Sequence, residues 1–284
     1  MPTLADFDAA ARLIAPHVPP TPQYAWPLLE AALGVETWVK HENHTPTGAF
    51  KVRGGLVFVD RLLAAKPGTR GIVSATRGNH GQSLAFAGRA RGLACVILVP
   101  RGNSVEKNAA MRAFGAELIE VGDDFDAAKA AVPAIAAERG FEIVPSFHAD
   151  LVLGVGTYGV ELFRAVPDLD VVFCPIGLGS GVCGLISAKA ALGRSVEIVG
   201  VVSTRADAYR QSLEGSELVA TAHPADTFAD GVAVRTPAPE ALAIMRAGLS
   251  RIVAVDDDAI AEATRLLFSA THNLAEGAGA AALA

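Results

Sequence analysis

The feature that most constrains this chain is an alternation of short Val- and Ile-rich runs with Ala-rich stretches of helical spacing. "GIVSAT" is followed by "GQSLAFAGRARG" and "ACVILVP", then "EKNAAMRAFG" by "AELIEVG", and "DFDAAKAAVPAIAAERG" by "FEIVPSF". Farther along come "DLDVVFCPIG", "GLISAKAALGR", "VEIVGVVS" and "SRIVAVDDDAIAEATRLLFSATH". The short runs are apolar on both faces, so helices must cover each strand on two sides. This predicts an α/β fold with parallel sheets. Several runs end in Gly-rich or polar turns, the end at which open α/β sheets bind ligands. No repeat or long linker stands out. The expected division is a smaller βα unit over 66–148, inserted into a larger unit built from 1–65 and 149–284.

Charge narrows the partners. The formal net charge is −6, and no basic run exceeds two residues, so neither nucleic acid nor an anionic membrane is an expected partner. The N-terminus has no basic leader followed by an apolar stretch, and no apolar run reaches the roughly 18 residues of a membrane span. The three cysteines, Cys95, Cys174 and Cys183, have no metal-ligand spacing. Two of them lie in strand-like runs, which reads as buried free thiols in a reducing cytoplasm.

Chemistry is concentrated in a few turns. "VVFCPIGLGSGVCGLISAKAA" is an apolar strand, a Gly-rich turn and a helix. Gly177, Gly179, Gly181 and Gly184 leave room for backbone N–H groups to approach an anion at the helix N-terminus. A purely structural tight turn, a single-phosphate loop and a dinucleotide site are all compatible with it. The same G-x-G-x-x-G spacing recurs in "GVGTYG", so the pattern is cheap in a chain with 28 glycines. A dinucleotide site also wants an acid about 20 residues on, where "VEIVGVVS" ends in Ser203. A single phosphate is the better fit. "SATRGNHGQS" places another polar turn between a strand and a helix, and its amides can cradle a carboxylate. In "KHENHTPTGAFKVRGG", Lys51 sits between Phe50 and Val52. Partial burial there favours a neutral, nucleophilic amine, although a surface lysine on a first helical turn is the plainer reading. His41 and His44 are three apart, not the four a zinc helix needs, so no metal is expected at "HENH".

A desolvated lysine, a phosphate loop and a carboxylate turn together suit an aldehyde-bearing phosphate cofactor and an amino-acid substrate. The chain resembles the fold-type II pyridoxal-phosphate enzymes of the threonine/serine dehydratase and serine racemase family. The resemblance runs from about Thr21 onward and rests on "KHENHTPTGAFKVRGG", "SATRGNHGQS", "PIGLGSGVCG" and "AEGAGA" in the family's order. It implies a tryptophan synthase β-like architecture of two parallel-sheet α/β domains with the cofactor cleft between them. The large domain would bind the cofactor and the small one the substrate carboxylate. The cofactor would be pyridoxal 5′-phosphate, with Lys51 as Schiff-base lysine and α-proton base and Phe50 packing under the ring. Asn79 would bond the 3′-oxygen. Gly177, Leu178, Gly179, Ser180 and Gly181 would hold the phosphate, and Glu276 would lie near the ring. Thr76, Arg77, Gly78, Asn79 and His80 would hold the substrate carboxylate. The implied reaction is dehydration and deamination of threonine or serine to 2-oxobutyrate or pyruvate plus ammonia. An ammonia-lyase for 3-hydroxyaspartate or another β-substituted amino acid is an alternative. Relatives also suggest a homodimer.

Three departures qualify these implications. Racemases of the family carry a serine where Arg77 stands; arginine is a poor acid or base and a good anion clamp, so elimination with little racemisation is expected. Metal-dependent relatives present Glu-x-x-x-Ala-x-Asp where this chain has Val202, Ala206 and Ala208, so no metal is expected, with Asp207 a lone acid. Relatives also continue past the position of Ala284 to a Ser-Gly-Gly-Asn turn at the pyridine nitrogen. Its absence here admits a catalytically silent cofactor-binding protein.

Overall fold

In the computed structural model, which describes residues 1–215, 217–221 and 225–284, the predicted strands and helices alternate as the sequence requires. In chain order the elements are α1 (Leu4–Ile14), β1 (Gln23–Ala25), α2 (Pro27–Leu33), β2 (Trp38–Lys40), α3 (Lys51–Ala65), β3 (Gly71–Ala75) and α4 (Asn79–Ala90). Next come β4 (Ala94–Val99), α5 (Val105–Ala113), β5 (Glu117–Glu120), α6 (Phe125–Arg139), β6 (Glu142–Ile143) and α7 (Ala149–Ala165). The chain continues through β7 (Val171–Pro175), α8 (Ser180–Ala191), β8 (Glu197–Ser203) and α9 (Ala208–Glu214). It closes with α10 (Pro239–Gly248), β9 (Arg251–Val255), α11 (Asp257–Thr271) and α12 (Gly277–Ala280).

The chain divides into two compact units, one of 1–7, 20–44 and 156–284, the other of 8–19 and 45–155. The second unit carries a parallel sheet in the order β5-β4-β3-β6, with Ile72 opposite Cys95 and Val96 opposite Glu117. Period two sends alternate residues to opposite faces. Val73, Ala75, Val96 and Leu98 pack on Ala128, Val132 and Ala136 of α6. Ile72, Cys95 and Ile97 turn the other way, toward α4, where Gly81 and Gly88 leave room for them. Both faces are dry, and each fully buried Val, Leu or Ile contributes about 1.5–3 kcal/mol.

The sequence division at 66 and 148 differs from these units at its edges. Residues 45–65 group with 66–148 because α3 lies close on its neighbours: a Cβ on Gly55 would run into the Ser83 hydroxyl, and one on Gly54 would stand 2.8 Å from the Leu151 carbonyl oxygen.

In the first unit a parallel sheet runs β7-β8-β9, with Val171 opposite Glu197 and Val199 opposite Arg251. Leu29, Val201, Val232, Ile260, Leu267 and Ala280 form one of its cores. β1 and β2 add a small antiparallel pair that the sequence does not announce, with Tyr24 opposite Val39. "GVGTYG" turns out to be helix interior, within α7. Its Gly156 lets the Phe7 ring and the Gly184 carbonyl approach to 2.5 and 2.9 Å of where a Cβ would stand. Among the described residues no helix is long and apolar enough to cross a membrane.

Candidate active site

Lys51 is delivered by a stiff turn. The Thr45 hydroxyl both donates to the Ala49 carbonyl and accepts from its N–H, each at 2.9 Å, and Thr47 adds a 3.3 Å bond to the same carbonyl. Gly48 takes φ +67°, a left-handed conformation that suits glycine. The turn ends in Phe50, and Lys51 opens α3 half-buried, its Nζ 4.9 Å from the Phe50 ring centroid. The Lys51 carbonyl accepts a 2.6 Å bond from the buried Ser83 hydroxyl of α4, a contact possible because Gly55 carries no side chain there.

The second turn, Thr76 to His80, lies in the same unit. Thr76 extends the β3 ladder by donating its N–H to Leu98, and its hydroxyl accepts from the Gly78 N–H at 3.1 Å. α4 then starts from Gly78 without a side-chain cap hydrogen bond. α5, α6 and α11, by contrast, are closed by Ser104, Asp124 and Asp256. Asn103 donates to the Arg77 carbonyl at 3.0 Å, and the Lys107 stem lies over Gly78. The Arg77 side chain is exposed and makes no ion pair among the described residues. The His80 Nε2 is shut off from solvent and has no hydrogen-bond partner among the described residues. Burial, and secondarily the Lys51 charge, push the His80 imidazole down to about 3. It is therefore neutral at any working pH.

The glycine loop and Glu276 belong to the other unit. Ile176 continues the β7 ladder, and at Gly177 a Cβ would collide with the Gly231 carbonyl oxygen. Gly179 has φ +104° and precedes α8, again without a side-chain cap. A Cβ there would stand 2.6 Å from Met245 Cε and 2.9 Å from Ala241 Cβ. Ser180 and Gly181 form the buried first turn of α8. Glu276 precedes α12, and its Oε1 lies 3.7 Å from where a Gly231 Cβ would be, so Gly231 touches both Gly177 and Glu276. Sequence reasoning missed the residue that braces this loop: the Tyr209 hydroxyl donates to the Leu178 carbonyl at 2.7 Å. No local pattern in "ADAYRQS" marks it. Ser83 and Asn103 were missed for the same reason.

The remaining candidates are absorbed elsewhere. Lys40 ends β2 with its Nζ 2.6 Å from Glu161 Oε2 and 3.0 Å from the Thr21 carbonyl, a structural ion pair. His41 Nε2 accepts from Trp26 Nε1 at 3.0 Å, and its pKa is lowered by burial and then by His44. His44 Nε2 faces Asn273 Oδ1. Asp207 holds Arg210 at 2.5 Å and Gln211 at 2.6 Å. Among the described residues no group of three or more His, Cys, Asp or Glu side chains is arranged to hold a metal ion. Burial pushes the Cys95, Cys174 and Cys183 thiols up to about 12, 11 and 12.

These features fit pyridoxal 5′-phosphate: a lysine at a helix start, a glycine loop at an uncapped helix for a phosphate, a second uncapped helix, and an orphaned buried imidazole nitrogen. Comparison with known proteins agrees. The L-threonine ammonia-lyase of Geobacter sulfurreducens is 36% identical over 256 residues, which cover 89% of this chain and 62% of that protein. The chain thus spans less than two thirds of that relative's length. Among solved structures, a threonine deaminase from T.th. superimposes with a TM-score of 0.91 at 32% identity, over 99% of this chain and 91% of that one. A pyridoxal 5′-phosphate-dependent aspartate racemase gives 0.93 at 26% identity, over 99% and 89%. The pattern of the family described as "Pyridoxal-phosphate dependent enzyme" matches residues 14–284, and the chain belongs to that family.

Proposed function

We propose that this protein dehydrates and deaminates a β-hydroxy amino acid, with L-threonine as the leading substrate and L-serine second. The observation that carries the reading is Lys51 at the start of α3 beside a buried imidazole that burial and the lysine charge keep neutral. Similarity to relatives named threonine ammonia-lyase and threonine deaminase supports the choice of threonine.

When bound, pyridoxal 5′-phosphate supplies an aldehyde carbon for an amine and a ring that accepts electron density from Cα. The chain's residues do the rest. Lys51 Nζ would be the amine that holds the cofactor, and as a free amine it would take the Cα proton of the substrate. The open first turn of α4, with Thr76 and the amides through His80, holds the substrate carboxylate. Asn79 would bond the cofactor's 3′-oxygen, Phe50 would pack against its ring and Glu276 would lie near that ring. Gly177 to Gly181 hold the phosphate through main-chain donors. Loss of the β-hydroxyl as water leaves an enamine, and its hydrolysis gives 2-oxobutyrate and ammonia. Position 77 carries an arginine, a side chain poorly suited to acid–base work, so no proton is expected to return to the opposite face of Cα. No divalent cation is required, the setting is the cytoplasm, and a homodimer is the expected assembly.

The test is reconstitution with pyridoxal 5′-phosphate, borohydride reduction and peptide mapping, followed by assay of ammonia from threonine. A visible absorption band, label on Lys51 and ammonia release are expected. Label on another lysine would overturn the assignment, and cofactor binding without ammonia release would leave a silent binding protein.

A further inference from the structure

The Gly177–Gly181 loop is braced by a phenol through the Leu178 carbonyl. Tyr209, 1% exposed, lies in the first turn of α9 with both functions of its hydroxyl engaged. It donates to the Leu178 carbonyl at 2.7 Å and accepts from the Ala238 N–H at 3.0 Å. A planar trans peptide points its C=O and N–H in opposite directions. Holding the Leu178 carbonyl against Tyr209 therefore aims the Gly179 N–H away from it. Gly179 at φ +104° has no side chain to fix that peptide plane, and glycine backbones turn over readily. A reversed plane would present a carbonyl oxygen where an anion needs a donor.

We propose that Tyr209 is a positioning residue that gives the Gly177–Gly181 loop its affinity for phosphate by locking the Leu178–Gly179 peptide. The inference rests on the reading of that loop as the phosphate site. Burial raises the phenol pKa, so the hydroxyl stays a donor throughout the working pH range. Replacement by phenylalanine keeps the buried ring and removes only the two bonds.

The experiment titrates the cofactor-free chain with pyridoxal 5′-phosphate and with pyridoxal, which lacks the phosphate, following absorbance. Wild-type protein should prefer the phosphorylated form. In Tyr209→Phe the Kd for pyridoxal 5′-phosphate should rise about tenfold, the worth of one such bond to a carbonyl that sets a charged contact. The Kd for pyridoxal should stay within a factor of two or so of wild type, since the fold is kept. Inorganic phosphate should also protect wild-type protein from thermal unfolding more than the variant. Unchanged affinity for pyridoxal 5′-phosphate, or equal loss for both ligands, would overturn the proposal. Wild-type protein that binds both ligands equally would instead remove the loop reading and the inference with it.

Discussion

The hydroxyl of Ser83 donates a 2.6 Å hydrogen bond to the backbone carbonyl of Lys51, tying the first residue of α3 to the interior of α4. Replacing Ser83 by alanine removes this hydrogen bond from the Lys51 carbonyl, a loss of about 0.5–1.5 kcal/mol in urea unfolding. Gly55→Ala is expected to be worse, because its new Cβ collides with that same hydroxyl and with the Ser83 backbone. Both variants should also slow borohydride labelling of Lys51. Labelling at the wild-type rate in both would mean that the contact does not position the amine.

Stability should depend on pH through His80. Its pKa is about 3 in the folded chain against an ordinary value near 6.5. The unfolded chain binds one more proton between those values, so folding weakens as pH falls, by about 1.4 kcal/mol per unit. Carboxylates contribute their own acid slope, so the readout is the difference between wild type and His80→Gln. Parallel stability curves for the two proteins between about pH 6.5 and 3 would contradict a buried neutral imidazole.

Two lysines in one motif should separate cleanly. Lys40→Met removes the 2.6 Å ion pair to the Glu161 carboxylate, half-hidden at 22% exposure, and should cost about 2–4 kcal/mol of stability. Reductive labelling by cofactor and borohydride should survive in that variant and vanish in Lys51→Ala. Loss of label in both, with both folded, would reopen the choice.

The proposed mechanism predicts elimination without inversion, because position 77 carries an arginine, a poor acid or base. Chiral chromatography of a threonine or serine reaction should show ammonia forming with little D-amino acid. Formation of the D-isomer at a rate comparable to ammonia would show that another residue supplies the second proton.

The thiols offer a check on the core. Cys95, Cys174 and Cys183 are buried as free cysteines, and burial disfavours each thiolate. A thiol reagent should therefore label none of them in native protein and all three in denaturant. Rapid labelling of native protein would argue against the strand packing around Cys95 and Cys174.

Much of this was legible in the residues themselves. The strands announced themselves because burial on both faces leaves uninterrupted Val and Ile, as at Val96 to Val99. Lys51 could be placed at a helix start because Thr45, Pro46 and Gly48 read as a turn and "KVRGGLVFVDRLL" as a helix. The two turns proposed to bind anions were visible as glycines between strand and helix. Tyr209 was not visible, since its partners Leu178 and Ala238 lie 31 and 29 positions away and only the folded backbone brings them to its hydroxyl. The same holds for Ser83, whose partner is 32 residues distant. The β1–β2 pair was too short, at three residues each, for a periodicity to show.

The glycines of α7 carry a consequence for how the molecule assembles. Each glycine inside a helix costs about 1 kcal/mol relative to alanine, so the segment around Gly156 and Gly159 has little tendency to coil alone. Alanine at Gly156 would make a better isolated peptide and a worse protein, since its methyl group would meet Phe7 and the Gly184 carbonyl. This stretch borrows its order from the neighbours it admits and should become helical only once α8 is present to receive it.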